Sequence, residues 1–111
     1  MVQTLQGRCP NAKLLYVTTT PVPTNGTDPS QPGSAHLLNS DVVAVNAAAK
    51  QIMAEHRVQV LDMYSFVTAH CGAAYEACDW QGSGSVHFTT RGWRAMARHL
   101  AAAVLELGDS K

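Results

Sequence analysis

The stretch Lys13-Leu14-Leu15-Tyr16-Val17-Thr18-Thr19-Thr20 decides the fold class of this chain. It is a short apolar run rich in β-forming residues, and Pro21 and Pro23 follow it closely. Continuous runs of this kind are typical of a strand that is buried on both faces of a parallel sheet. We therefore predict a parallel strand over residues 13–20.

The segments that follow this strand predict a loop, a helix and a second strand. Residues 21–39 are rich in Pro, Gly, Ser and Asn, which indicates a long loop. Ser40 and Asp41 favour a helix start, because serine can cap free amide groups and an acid suits the positive end of the helix dipole. Residues Val58–Met63 have the composition of a second strand, and 64–88 are predicted to be mostly loop. Asp62, near the end of this strand, can cap the turn that follows.

The last segment predicts a helix that Thr89 or Thr90 caps and that ends near Leu107, before Gly108. Its apolar stripe is expected to pack in the core and comprises Trp93, Met96, Ala97, Leu100, Ala101, Val104 and Leu105. Strands that alternate with helices imply an α/β fold with parallel strands. Because two strands alone make no stable sheet, we expect further strands from elsewhere.

Composition narrows the class of protein. The 111 residues suffice for a single domain, 1–111. Eight basic and eight acidic residues give no net charge, and no basic stripe favours nucleic-acid binding. No apolar run reaches membrane-spanning length, so no membrane partner is expected. Residues 1–8 lack the apolar core of a signal peptide, and the compartment stays open.

Three stretches resemble the SGNH/GDSL-type serine hydrolase superfamily. Asn11–Pro23 resembles the family's late central strand, and Val58–Tyr64 is similar to a short strand that ends in an Asp-aliphatic-Tyr pattern. Val86–Trp93 resembles the last family motif, in which a His stands just before the C-terminal helix and a Gly follows. Together the three stretches resemble the C-terminal part of the family's domain.

The resemblance implies a partial three-layer α/β/α fold and hydrolysis of carboxylic or carbohydrate esters through an acyl-serine intermediate, without a cofactor or metal. It makes His87 the general base, which takes the serine proton and returns it to the leaving alcohol. The family often places its acid three residues before the His, where this chain has Gly84. Asp79 is the candidate replacement, and Trp80 is the candidate substrate contact.

The family's nucleophile segment should come earlier in the chain, and nothing in residues 1–12 fits it. Gly108-Asp109-Ser110 matches the family's nucleophile triplet, but it follows an amphipathic helix instead of a strand. We interpret it as a helix stop with a polar tail, and a circular permutation is the alternative. Ser65, Ser83 and Ser85 lie on no recognisable elbow. We therefore expect the isolated chain to be inactive. Binding and hydrolysis of an ester substrate would require an N-terminal half.

Two further functions stay open. One is a non-catalytic remnant that binds a ligand or forms a homo-oligomer through its open sheet edge. The other is a small zinc-binding module with His70, Cys71, Cys78 and His87 as ligands, although their spacing lacks the close pairs of common zinc modules. In an oxidising compartment, Cys71 and Cys78 can instead form a disulfide.

Overall fold

The computed structural model describes residues 1–24, 38–82 and 86–109. Over these ranges the chain is a mixed α/β structure with four helices and a two-stranded parallel sheet. The α/β class with parallel strands is confirmed, and none of the described helices is long and apolar enough to cross a bilayer. Most of the predicted loop 21–39 lies outside the described residues. The elements in order are α1 (Val2–Arg8), β1 (Leu15–Val17), α2 (Asn39–Glu55), β2 (Gln59–Leu61), α3 (Met63–Cys71) and α4 (Thr90–Asp109).

Strands β1 and β2 pair in parallel, with Leu15 opposite Gln59 and Val17 opposite Leu61. Both strands are shorter than predicted. The buried Asn46 of α2 accepts a hydrogen bond from the Thr19 amide at 2.9 Å and donates to the Thr19 carbonyl at 2.9 Å. Just beyond the end of β1, the backbone groups of Thr19 are therefore bonded to a helix side chain.

Helix α2 does not begin as predicted. Ser40 is not the cap: the helix starts at Asn39, Leu38 stands at the cap position, and no side chain there bonds to a helix amide. The Asn39 side chain instead accepts from the Val22 amide at 3.0 Å and donates to the Tyr64 hydroxyl at 2.8 Å. The helix start is therefore fixed by contacts with the segment after β1, which a local capping rule does not consider.

Helix α3 occupies part of the segment that was predicted to be mostly loop, and that prediction was wrong for residues 64–71; Met63, predicted to end the second strand, begins this helix. Asp62 caps this helix by accepting from the Ser65 amide at 3.0 Å. The other Asp62 oxygen forms an ion pair with Lys50 at 2.5 Å, and Thr18 donates to the first at 3.2 Å. The expected capping role of Asp62 is confirmed, and its contacts tie α2, α3 and β1 together.

The core lies between α3, the segment 72–82 and α4. A disulfide joins Cys71 at the end of α3 to Cys78 and so closes this segment against the helix. The buried apolar side chains of the core cluster are Met63, Val67, Tyr75, Trp80 and Met96.

Helix α4 extends to Asp109, beyond the stop predicted at Gly108. The expectation that its apolar stripe packs in the core was largely wrong, because Met96 is the only one of its seven residues that is buried. No described segment of the chain covers the remainder of the stripe. The large side chains that stay exposed along it are Trp93, Leu100, Val104 and Leu105.

Candidate functional site

An open groove of about 460 Å³ lies between the end of β1 and helix α4. Among the described residues β1 pairs with β2 alone, so its second edge has no strand partner there. His87 lies on this groove, and nearly all its neighbours there are apolar, which fits a surface that another segment covers. The lining residues are Val17, Thr18, Thr20, Met63, Val86, His87, Phe88, Trp93, Met96, Ala97 and Leu100.

The backbone on both sides of His87 is fixed by the segment that precedes it. The Val86 carbonyl accepts a hydrogen bond from Gln81 Nε2 at 2.8 Å, and Phe88 forms an antiparallel bridge with Gln81. The Thr89 amide donates to the Trp80 carbonyl at 2.8 Å. The His87 side chain is therefore exposed, while hydrogen bonds hold the backbone on both sides of it.

Thr89 and Gly92 connect His87 to helix α4. The Thr89 hydroxyl donates to the Asp79 carbonyl at 2.7 Å and accepts from the Gly92 amide at 3.2 Å, which confirms it as the helix cap. Gly92 is buried against Trp80, whose carbonyl oxygen would lie 2.4 Å from a Cβ at position 92. The Gly of the His-bearing motif thus allows α4 to start close to the segment that holds His87.

The fully buried Gln81 lies at the centre of this arrangement. Its Oε1 accepts from the Tyr75 hydroxyl at 2.5 Å, and its Nε2 donates to Val86 and, at 3.5 Å, to the Pro21 carbonyl. Burial, with a smaller contribution from Tyr64, raises the pKa of Tyr75 to about 12. The hydroxyl therefore keeps its proton and remains a donor to Gln81. No sequence pattern marked Gln81, since it lies in a segment without periodicity.

Asp79, the candidate acid, interacts with other residues than His87. Its Oδ1 lies 2.6 Å from His70 Nε2, and its Oδ2 lies 3.2 Å from Arg91 Nη1. The hydrogen bond from His70 lowers the pKa of Asp79, and Arg91 adds to the effect. The structure thus brings Asp79 together with a different histidine, on the surface between α3 and α4.

The exposure of the two tryptophans is the reverse of what was expected. Trp80, the candidate substrate contact, is only 8% exposed, stacks on the His70 ring at 3.8 Å and belongs to the core. Trp93, which was assigned to the core, is 60% exposed and lines the groove with His87. The amphipathic pattern of α4 correctly predicted a helix, but no described segment of the chain buries the apolar face of that helix.

The residues of the alternative zinc site do not form one. Cys71 and Cys78 are joined by the disulfide, and the described ranges hold no cluster of three His, Cys, Asp or Glu side chains that could bind a metal. Of the candidate serines, Ser65 donates to Asp62 at 2.8 Å in the cap of α3. Ser83, Ser85 and Ser110 lie outside the described residues.

Comparison with protein-family models, curated proteins and solved structures finds no match to this chain.

Proposed function

We propose that this chain is the histidine-bearing part of an SGNH-type ester hydrolase with a three-layer α/β/α fold. A segment that carries the nucleophilic serine would complete it by adding to the open edge of β1. The single observation that carries the proposal is the position of His87 on an open apolar groove between that edge and the uncovered stripe of α4.

The groove is lined mainly by apolar side chains, the kind that are normally buried between a sheet and its helices. Val17 on β1 and Trp93 and Leu100 on α4 are large apolar side chains with substantial exposure. Covering the apolar area that these side chains still expose would stabilise the protein by about 25 cal/mol per Å² removed from water. A further parallel strand beside β1 would bury Val17, and the element that accompanies it would cover the stripe.

The chemistry of the completed site follows from its groups. The serine oxygen attacks the ester carbonyl while His87 accepts the serine proton, which gives a tetrahedral oxyanion. His87 then returns that proton to the leaving alcohol as the acyl-serine forms. Water, activated by the same imidazole, hydrolyses the acyl-serine. The groups that stabilise the oxyanion would come with the serine segment.

Asp79 is not assigned as the acid in this proposal, because its carboxylate already binds His70 and Arg91. A backbone carbonyl or a water molecule can orient the His87 ring instead. Such an acceptor carries no full charge and therefore stabilises an imidazolium less than a carboxylate does. The proposal therefore assigns His87 as the base and assigns no residue as the acid.

A second candidate function is self-association through the same surface, without catalysis. It is favoured by the exposed apolar side chains Trp93, Val104 and Leu105 along one stripe of α4. Sedimentation of the purified chain over a range of concentrations tests it, with Trp93→Ser as the variant. Concentration-dependent dimers that the substitution weakens would favour this function, provided that no ester hydrolysis accompanies them.

Ester hydrolysis tests the main proposal. The chain is assayed with a short-chain chromogenic ester, alone and when co-expressed with the N-terminal half of an SGNH esterase that supplies the Gly-Asp-Ser turn. His87→Ala is the test variant, and His56→Ala is the matched control, since His56 lies at the end of α2 and does not line the groove. We expect turnover that needs both parts and disappears only in His87→Ala.

Two outcomes would change the proposal. Turnover that persists in His87→Ala would remove His87 from the base role. Turnover by the chain alone that His87→Ala abolishes would locate the nucleophile among the chain's own serines, and Ser110 and the loop serines would then be substituted in turn.

A further inference from the structure

We infer that Gln81 is the positioning residue of His87: its buried side-chain amide holds the backbone that presents the imidazole to the groove. The functional meaning of this inference rests on the proposed hydrolase. The structural claim concerns this chain alone and is tested without any substrate.

The hydrogen bonds of Gln81 carry the argument. The side chain has no exposed surface, and its Nε2 donates to the Val86 carbonyl, one residue before His87. An amide group that is buried this completely must satisfy its donors and acceptor within the protein. Here the donors go to Val86 and Pro21, and the acceptor takes the Tyr75 hydroxyl.

The partners of Gln81 determine which way the amide points. The carbonyls of Val86 and Pro21 can only accept, so they select the amide nitrogen, and the amide oxygen accepts from the Tyr75 hydroxyl. The Pro21 carbonyl receives the weaker second bond at 3.5 Å. Pro21 follows β1, so the same side chain contacts the segments on both sides of the groove.

The backbone of Gln81 is itself anchored. Its amide donates to the Cys78 carbonyl at 3.2 Å, and its carbonyl accepts from the Cys78 amide at 3.0 Å. Cys78 is attached to the end of α3 by the disulfide to Cys71. A continuous path of bonds therefore runs from α3 through the disulfide and Gln81 to the residue before His87.

Local order at His87 is the quantity to measure. Gln81→Met keeps the length and volume of the side chain and removes its hydrogen bonds, and Gln59→Met is the matched control on the exposed Gln59 of β2. Backbone and ring relaxation by NMR gives the order parameters of residues 86–88 and of α4. We expect His87 to be ordered in the parent chain and in the control. In Gln81→Met its order parameter should fall below about 0.6, while the central turns of α4 keep theirs.

Tyr75→Phe provides a second variant in case Gln81→Met does not fold. It retains the ring in the core and removes only the hydroxyl that donates to the Gln81 amide oxygen, so we expect a smaller loss of order confined to residues 86–88.

Three results would overturn the inference: His87 already mobile in the parent chain, unchanged order in the folded variants, or a loss spread equally over α4. Because no ester is involved, this test can fail while the hydrolase proposal stands, and the reverse also holds.

Discussion

Gly92 lies so close to the backbone of Trp80 that a Cβ at position 92 would stand 2.4 Å from the Trp80 carbonyl oxygen. This contact joins the first turn of α4 to the segment that holds His87. The obstacle is a backbone atom, which cannot rotate away as the end of a flexible side chain can. The close approach of α4 to the Trp80 backbone therefore depends on the absence of a side chain at position 92.

Gly92→Ala is expected to lower the free energy of unfolding by about 1–3 kcal/mol, the usual cost of forcing extra carbon into a packed site. Chemical denaturation followed by circular dichroism measures the change. Gly7→Ala is the matched control, because a Cβ at Gly7 of α1 meets nothing within 4 Å. The control should be neutral or stabilising by up to about 1 kcal/mol, since alanine favours a helix. Equal effects at the two positions would contradict the contact.

The two tryptophans should respond to truncation in opposite ways. Trp80→Ala is expected to cost about 3–5 kcal/mol, because it empties a core site. Trp93→Ser should change the unfolding free energy by no more than about 0.5 kcal/mol in the isolated chain, since the side chain is mostly exposed. Urea titrations of both variants make the comparison. A large loss of stability in Trp93→Ser would show that the stripe of α4 is covered in solution.

The Cys71–Cys78 disulfide should stabilise the chain by restricting its unfolded state. The sequence separation of 7 closes a short loop, for which chain entropy gives about 2–3 kcal/mol. The Cys71→Ser/Cys78→Ser double variant is expected to lose this amount in urea denaturation. Cys9→Ser serves as the control, because Cys9 is exposed and not part of the disulfide. Comparable losses in the double variant and the control would argue against the pairing.

Acid should weaken the junction at Asp62. Burial opposes ionisation there, but hydrogen bonds from Lys50 and Ser65 outweigh it and lower the pKa from 3.8 to about 2. Because the folded-state pKa is the lower one, the stabilisation is complete above about pH 5 and disappears as the pH falls toward 2. We expect a loss of about 1–2 kcal/mol over that interval, a figure that allows for partial exposure.

Unfolding at pH 6 and pH 2.5 measures this dependence, and Asp62→Asn is the comparison. Asparagine retains an acceptor for the Ser65 amide but has no charge to pair with Lys50. The pH-dependent loss should therefore be smaller in the variant by about the same 1–2 kcal/mol. If the parent and the variant lose equal amounts, the acid sensitivity arises from other groups.

The sequence by itself determined the features that depend on neighbours along the chain. Two short apolar runs separated by a helical segment were enough to predict parallel strands, and Asp62 and Thr89 were recognisable as residues that cap helices. The periodicity of α4 was also correctly identified. These properties follow from residue type and spacing, which local backbone geometry translates directly into structure.

Only the tertiary structure decided which of these residues meet. It buried Trp80 and left Trp93 on the groove, and it placed Asp79 on His70. It also placed the Gln81 side chain against the backbone of Val86, next to His87, a contact that no sequence pattern predicted. Burial and side-chain partners depend on which distant segments pack together, and a periodic stripe does not specify what covers it. The course of the segment 72–82, which a disulfide and a buried amide fix, determines how the backbone beside His87 is held at the groove.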